Sequence, residues 1–153
     1  NITAMNITIR TTSKNDKEAF LALMDEFYHT SAVLHPIPKE NMEKCFSDSI
    51  KYSEHIRTYL FEDNCLAIGF AIVTIGYSSE AGGLSVWIED IYLRESYRGM
   101  GLGSKFITSI ENEFKGKAKR LRLEVEEDNE KAIRLYQKQG FEILPYMQMI
   151  KDI

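Results

Sequence analysis

A glycine-rich turn joins an apolar strand to an amphipathic helix near the middle of this 153-residue chain. The pattern predicts a strand over Leu84–Leu93, a turn at Arg98–Gly103 and a helix that runs to about Phe114. Glycine lets backbone N–H groups approach an anion, and a helix N-terminus carries a positive dipole end. The turn therefore predicts a phosphate cradle made by Gly99, Gly101, Gly103 and Ser104, with Arg98 adding charge.

The patterns elsewhere predict the order β α α β β β α β α β β. This order indicates an α/β fold with a mixed, mostly antiparallel sheet of about six or seven strands and about four flanking helices. The remaining strands are expected at 6–12, 56–61, 65–77, 121–125, 141–144 and 146–151, and the remaining helices at 14–31, 39–52 and from 128 or 129 to 139.

Length and charge limit the class of protein. No linker interrupts the chain, so we expect one domain over 5–153, with residues 1–4 an expression remnant. The 23 acidic residues exceed the 19 basic ones, which argues against a nucleic-acid partner. The longest uncharged run, Asn64–Ser79, is too short to span a membrane. Cys45 and Cys65 are typical of reduced cytoplasmic thiols, and the three histidines lack metal-ligand spacing, so no metal is expected.

The strand before the turn carries two adjacent carboxylates, Glu89 and Asp90. Because side chains alternate along a strand, we expect them on opposite faces of the sheet. A lone buried carboxylate is costly, so at least one should line a cleft or have a partner. The alternative is a strand end that emerges into solvent.

Two nucleotide-binding motifs compete for the glycine turn. Gly99-x-Gly101-x-x-Ser104 is close to the dinucleotide fingerprint, with Glu124 at a suitable distance, but too little chain follows for two mononucleotide-binding halves. A Walker A motif fails, because Gly-Lys-Ser/Thr is absent at the required spacing.

The segment from Ile88 to Ser104 resembles the acetyl-CoA signature of the Gcn5-related N-acetyltransferase (GNAT) superfamily, Arg/Gln-x-x-Gly-x-Gly/Ala, through Arg98, Gly101 and Gly103. The stretch from Leu123 to Phe141 is similar to the second motif of that family. The matching positions there are Asn129, Ala132, Tyr136, Gly140 and Phe141. The resemblance is strongest toward amine and diamine acetyltransferases, in which a Glu-Asp pair sits similarly before the glycine turn.

The resemblance implies a sheet that is splayed at its central strands, with acetyl-CoA as cosubstrate wedged there. Backbone groups of Ile91, Tyr92 and Leu93 would bind the pantetheine arm. The turn from Arg98 through Gly99, Met100, Gly101, Leu102 and Gly103 to Ser104 would hold the pyrophosphate. Asn129, Lys131 and Ala132 would contact the pantetheine or phosphate side of the coenzyme.

The same resemblance implies the catalytic roles. Tyr136 would be the general acid, which suits a phenol that stays protonated at neutral pH and can donate to a departing thiolate. Glu89 would be the base, directly or through water. Asp90 would anchor the strand or attract a cationic substrate.

The expected reaction is acetyl transfer to a primary amine by direct attack in a ternary complex. Glu26 and Tyr28 on the first helix and Asp90 are the predicted substrate-binding residues, with Tyr146 opposite. The expected acceptor is a small-molecule or peptide amine. The resemblance also allows a homodimer, because family members are often dimers. The alternative function is a non-catalytic module that senses acyl-CoA; it would bind CoA but release no thiol.

Overall fold

The computed structural model describes residues 5–31, 33 and 35–153, and its centre is a sheet of five strands. The expected remnant at 1–4 lies outside the described residues. The strands lie side by side in sequence order: β1 (Ile7–Thr11), β2 (Ile56–Asp63), β3 (Leu66–Ser78), β4 (Gly83–Leu93) and β5 (Ala118–Leu123). β1 to β4 pair antiparallel and β4–β5 is parallel. This order excludes the parallel dinucleotide-binding sheet.

Helices cover both faces of the sheet. They are α1 (Lys17–Tyr28), α2 (Lys39–Lys51), α3 (Leu102–Glu113) and α4 (Glu130–Lys138). On one face α1 and α2 bury Phe20 and Phe46 against Phe70 of β3. On the other face α3 buries Phe106 against Tyr59 and Phe61 of β2. The predicted mixed sheet between helices is confirmed.

β4 separates from β5 halfway along its length. β4 pairs with β3 from Gly83 to Leu93, but its pairing with β5 ends at Ile88, opposite Leu123. The backbone of β4 beyond Ile88 therefore faces an opening on the β5 side. The β4–β5 register thus shows the splay that the resemblance implied.

The two strands expected at 141–144 and 146–151 are not formed, so the sheet is smaller than predicted. Within the described chain, residues 142–153 make no backbone–backbone hydrogen bond, and Met147 and Ile150 are 94% and 90% exposed. The apolar residues of this segment indicate a local preference for an extended backbone. A β-strand also needs a neighbouring strand to pair with, and this segment has none among the described residues.

Candidate active site

A β-bulge in β4 sets the position of the two adjacent carboxylates. Ile72 of β3 pairs with Asp90 and Val73 pairs with Ile88, so Glu89 is the extra residue. Glu89 accepts a hydrogen bond from the Thr74 hydroxyl at 2.8 Å, and Thr74 shares the α1–α2 face with Ile72. The prediction of opposite faces is wrong, because an extra residue breaks the alternation. Both carboxylates lie on the α1–α2 face.

Asp90 is the more buried of the two carboxylates. Burial, with help from the negative charge of Glu89, raises the pKa of Asp90 to about 6, against an opposing hydrogen bond from Tyr28. The Tyr28 hydroxyl lies 3.4 Å from Asp90 Oδ2, and burial together with this carboxylate raises the pKa of Tyr28. Asp90 can therefore hold or release a proton near neutral pH.

Cys45 of α2 packs against the α1–α2 cluster, within electrostatic range of this carboxylate pair. Burial, assisted by the charges of Asp90, Asp48 and Glu89, raises the pKa of the Cys45 thiol to about 11. At neutral pH the side chain is a thiol, which is a poor nucleophile. The site therefore combines two carboxylates with a phenol and an unreactive thiol.

Glu26, predicted as a substrate-binding residue, is held by an ion pair. Its carboxylate is 2.7 Å from the Arg94 guanidinium and also accepts a hydrogen bond from the Tyr92 hydroxyl at 3.2 Å. The Arg94 hydrogen bond lowers the pKa of Glu26. Arg94 in turn donates to the Ala67 carbonyl at 3.1 Å, so this ion pair ties α1 to the ends of β3 and β4.

The glycine turn begins α3 with an open N-terminus. Gly99 and Gly101 have φ values of 75° and 78°, in the left-handed region that favours glycine. Among the described residues no side chain caps the helix, and a Cβ placed on Gly99, Gly101 or Gly103 would meet no atom within 4 Å beyond the adjoining residues and the helix's own backbone. The first N–H groups of a helix have no carbonyl inside it to bind. These groups therefore border open space of the kind an anion can occupy.

The other members of the turn shape this surface. Arg98 Nε donates to the Leu93 carbonyl at 2.8 Å, which holds the turn against the end of β4. Leu102 is buried, whereas Met100 is exposed. Ile91 and Leu93 pack on the α3 side of the sheet and Tyr92 packs on the α1 side. The strand leading to the turn is therefore anchored on both faces.

α4 carries the second predicted motif beside this turn. Asn129 Oδ1 accepts a hydrogen bond from the backbone N–H of Ala132 at 3.2 Å and caps the helix, while Lys131 is exposed. Gln139 donates to the Ser104 carbonyl at 3.3 Å, so the end of α4 contacts the first turn of α3. Tyr136 is half-buried against the Phe141 ring, and burial raises its pKa. Tyr136 is thus protonated and lies one helical turn before the contact with α3.

The chain is similar in sequence to known acetyltransferases. Residues 18–141 match the sequence profile of the acetyltransferase (GNAT) family. A spermine/spermidine N(1)-acetyltransferase of Bacillus subtilis (strain 168) is 28% identical over 142 residues, or 90% of this chain and 89% of that protein. A thialysine N-epsilon-acetyltransferase of Bos taurus is 35% identical over 74 residues, which cover 48% of this chain and 43% of that protein.

Solved structures show the same fold at low sequence identity. The aminoglycoside N-acetyltransferase AAC(6')-Iy, in complex with CoA, superposes with a TM-score of 0.79 at 17% identity and covers 99% of this chain and 98% of its own. A ribosomal-protein-alanine N-acetyltransferase from Brucella melitensis biovar Abortus 2308 has a TM-score of 0.74 at 16% identity. The match covers 96% of this chain and 99% of that chain.

This chain belongs to the acetyltransferase (GNAT) family. It is an N-acetyltransferase that uses acetyl-CoA. The structure fits that cosubstrate at two places. The open α3 N-terminus suits the pyrophosphate, and the unpaired side of β4 beyond Ile88 suits an amide-bearing arm that binds like a strand.

Sequence reasoning missed three contributors to this site. Thr74 contacts Glu89 through a register that only the folded sheet reveals. Cys45 lies outside both motifs, yet α2 places it against the α1–α2 cluster, within electrostatic range of Asp90. Arg94 forms an ion pair with Glu26. The only sequence feature that pointed to this role is that Arg94 directly follows the strand that carries Glu89 and Asp90.

Proposed function

We propose that this chain acetylates a cationic primary amine, which binds on the α1–α2 face beside Glu89 and Asp90. The observation that carries the proposal is the bulge, because it puts both carboxylates on one face at the point where β4 leaves β5. Two clustered negative charges favour a cation. The amine relatives spermine/spermidine and thialysine N-acetyltransferase support the same acceptor class.

The acetyl-CoA bound in the opening would supply an activated acetyl group. An alkyl ammonium must first lose a proton, which costs about 4 kcal/mol at pH 7 for a pKa near 10. We assign the acceptance of this proton to Asp90, because a pKa of about 6 makes it a stronger base than an ordinary Asp. Glu89, the base expected from the resemblance, then attracts the cation and sustains the raised pKa of Asp90.

The amine nitrogen forms the new bond to the acetyl carbon as the bond from that carbon to sulfur breaks. A backbone N–H in the open part of β4 polarises the thioester carbonyl. Tyr136 donates its hydroxyl proton to the departing thiolate, and the second proton that the nitrogen loses as the amide forms returns through water to the Tyr136 phenolate; Asp90 releases the first proton to solvent. Because Cys45 stays a thiol, the proposal keeps direct attack in a ternary complex and uses no acetylated enzyme. The free thiols Cys45 and Cys65 also suit the proposed cytoplasmic location.

A thiol-release assay with acetyl-CoA and a panel of amines tests the proposal. The panel contains spermidine, lysine, an aminoglycoside and a lysine-containing peptide, and mass spectrometry identifies the acetylated product. We expect turnover with at least one cationic amine. CoA binding with no thiol release for any amine would contradict the proposal and favour the acyl-CoA-sensing alternative.

A further inference from the structure

One arginine of β5 projects from the face of the sheet that carries the two carboxylates. Leu121 and Leu123 pack on the α3 side of the sheet, so Arg122 between them points to the opposite side. Arg122 pairs in register with Trp87 of β4, and its guanidinium lies over the Trp87 ring, 4.3 Å from the ring centroid. Trp87 is half-buried and is not one of the described residues that pack with α1 and α2. The two side chains therefore form a partly exposed platform on the α1–α2 face.

The charge on Arg122 has no counterion in the described chain. Arg122 makes neither a hydrogen bond nor an ion pair with a described residue, and its one contact is the Trp87 ring. Arg120, two residues earlier on the same face, differs because its guanidinium is 3.1 Å from the Glu80 carboxylate. Stacking on an indole leaves the edge N–H groups of a guanidinium able to donate. Arg122 can therefore bind an anion that comes from outside the chain.

Arg122 and the carboxylate pair lie close together on this face. Trp87 precedes Glu89 by two residues in β4, and Arg122 lies one strand across from Trp87. Ordinary sheet spacing places the Cα atoms of Arg122 and Glu89 about 8 Å apart. A ligand on this face meets negative charge at Glu89 and Asp90 and positive charge at Arg122. A molecule with an ammonium at one end and an anion at the other complements both.

We propose that Arg122 binds a carboxylate of the acceptor, which makes the acceptor a zwitterion with a distal primary amine. The inference rests on the proposed function, because the amine end lies beside Glu89 and Asp90. One guanidinium matches the single charge of a carboxylate through two parallel hydrogen bonds. A phosphate dianion would leave excess negative charge next to the carboxylate pair. A polyamine would bring a second ammonium toward Arg122 and is therefore disfavoured.

Lysine and cadaverine are matched probes, because cadaverine is lysine without its carboxylate. We expect the wild type to favour lysine in kcat/KM. Arg122→Gln should raise the KM for lysine at least about tenfold, as expected for the loss of a charge-assisted hydrogen bond. The same variant should lower the KM for cadaverine, whose second ammonium then meets no like charge. Arg122→Lys keeps the charge but not the planar fork, so its KM for lysine should be intermediate.

Arg120→Gln is the matched control, since it removes a guanidinium of the same strand and face that Glu80 already neutralises. It should leave the ratio of the two kcat/KM values unchanged. A wild type that favours cadaverine, or equal losses for lysine in Arg120→Gln and Arg122→Gln, would overturn the inference while the proposed function stands. A tenfold loss of CoA affinity in Arg122→Gln would also overturn it, because the side chain would then bind the coenzyme.

Tryptophan fluorescence separates the inference from the proposed function. Trp87 is the only tryptophan of the chain and lies under Arg122, so a carboxylate bound there should change its emission. With saturating CoA, lysine should give a saturable change that Arg122→Gln abolishes, and cadaverine should require a higher concentration. If neither amine is acetylated but the lysine titration saturates in this way, the proposed function fails and the carboxylate site stands. Without a saturable lysine titration the inference is wrong.

Discussion

Among the described residues, the first half of β4, from Leu84 to Ile88, has strand neighbours on both sides, whereas the second half, beyond Ile88, pairs only with β3. Val86 and Ile88 in the first half are buried. The second half carries both carboxylates and an open backbone edge. One strand thus provides a closed half that holds the sheet together and an open half with the groups that can bind and react. Substitutions in the two halves should therefore affect different measurements.

Asp90→Asn should have the largest effect in the open half. It removes the proposed proton acceptor and should lower kcat/KM for the preferred amine about 10²- to 10⁴-fold, the usual range for a general base. Steady-state thiol release measures this loss.

The matched variant is Glu89→Gln, which keeps Asp90 but removes its charged neighbour. We expect a smaller loss of about tenfold and a lower pH midpoint of kcat/KM, because the Glu89 charge helps to raise the pKa of Asp90. Equal losses for both variants would contradict the assignment of the base to Asp90.

Gly103→Asp should weaken CoA binding by at least tenfold. The aspartate places a negative charge at the first turn of α3, where it would repel a bound pyrophosphate. The helix dipole stabilises a negative charge at this end of the helix, so the fold should tolerate the substitution. Isothermal titration with CoA measures the affinity.

Two controls separate charge from backbone strain. Gly103→Ala adds a Cβ to the same open space without charge and should bind CoA almost normally. Gly101→Ala and Gly116→Ala carry the same strain, since the two φ values are 78° and 77°, but Gly116 follows the opposite end of α3. If Gly101→Ala and Gly116→Ala bind CoA with equal affinity, Gly101 is not part of the phosphate cradle.

Tyr136→Phe should lower kcat about 10- to 100-fold and change CoA affinity little. The ring would keep its contact with Phe141, and only the hydroxyl proton would be lost. Phe141→Leu removes the ring contact but keeps the hydroxyl, so it should destabilise the fold more than it slows the reaction. Unchanged kcat in Tyr136→Phe would exclude Tyr136 as the acid.

The sequence predicted the closed half of β4 better than the open half. Periodicity indicated all five strands and all four helices, because burial on one face leaves a repeating pattern, and it also indicated two strands after α4 that are not formed. The bulge at Glu89 left no such pattern, so regular alternation gave the wrong faces for Glu89 and Asp90. The ion pair of Glu26 with Arg94 depends on α1 packing near the end of β4, which no local spacing encodes.

Stability should depend on pH through Asp90. Its pKa is raised from 3.8 to about 6, so the folded protein binds the proton more tightly than the unfolded chain. The resulting stabilisation is fully present below about pH 4 and is lost as pH rises through about 6. Between these two pH values the free energy of unfolding should fall by about 2 to 3 kcal/mol, because the difference in pKa between the folded and unfolded states is linked to stability. Asp90→Asn should therefore unfold at higher denaturant concentration than the wild type at pH 8, with a smaller difference at pH 4. A wild type that is more stable than Asp90→Asn at pH 8 would contradict this sign.

Thr74→Val should have the smallest effect on the open half. It removes the hydroxyl that holds Glu89 but keeps the shape of the side chain, so kcat/KM should fall only a few-fold, and Thr74→Ser should restore it. The counterpart in the closed half is Ser85→Ala, because the buried Ser85 hydroxyl has no hydrogen-bond partner among the described residues. Loss of an unpaired hydroxyl should leave kcat/KM unchanged and stability equal or slightly higher. If Ser85→Ala slows the reaction as much as Thr74→Val, the claim that the first half of β4 serves stability and the second half serves the reaction is wrong.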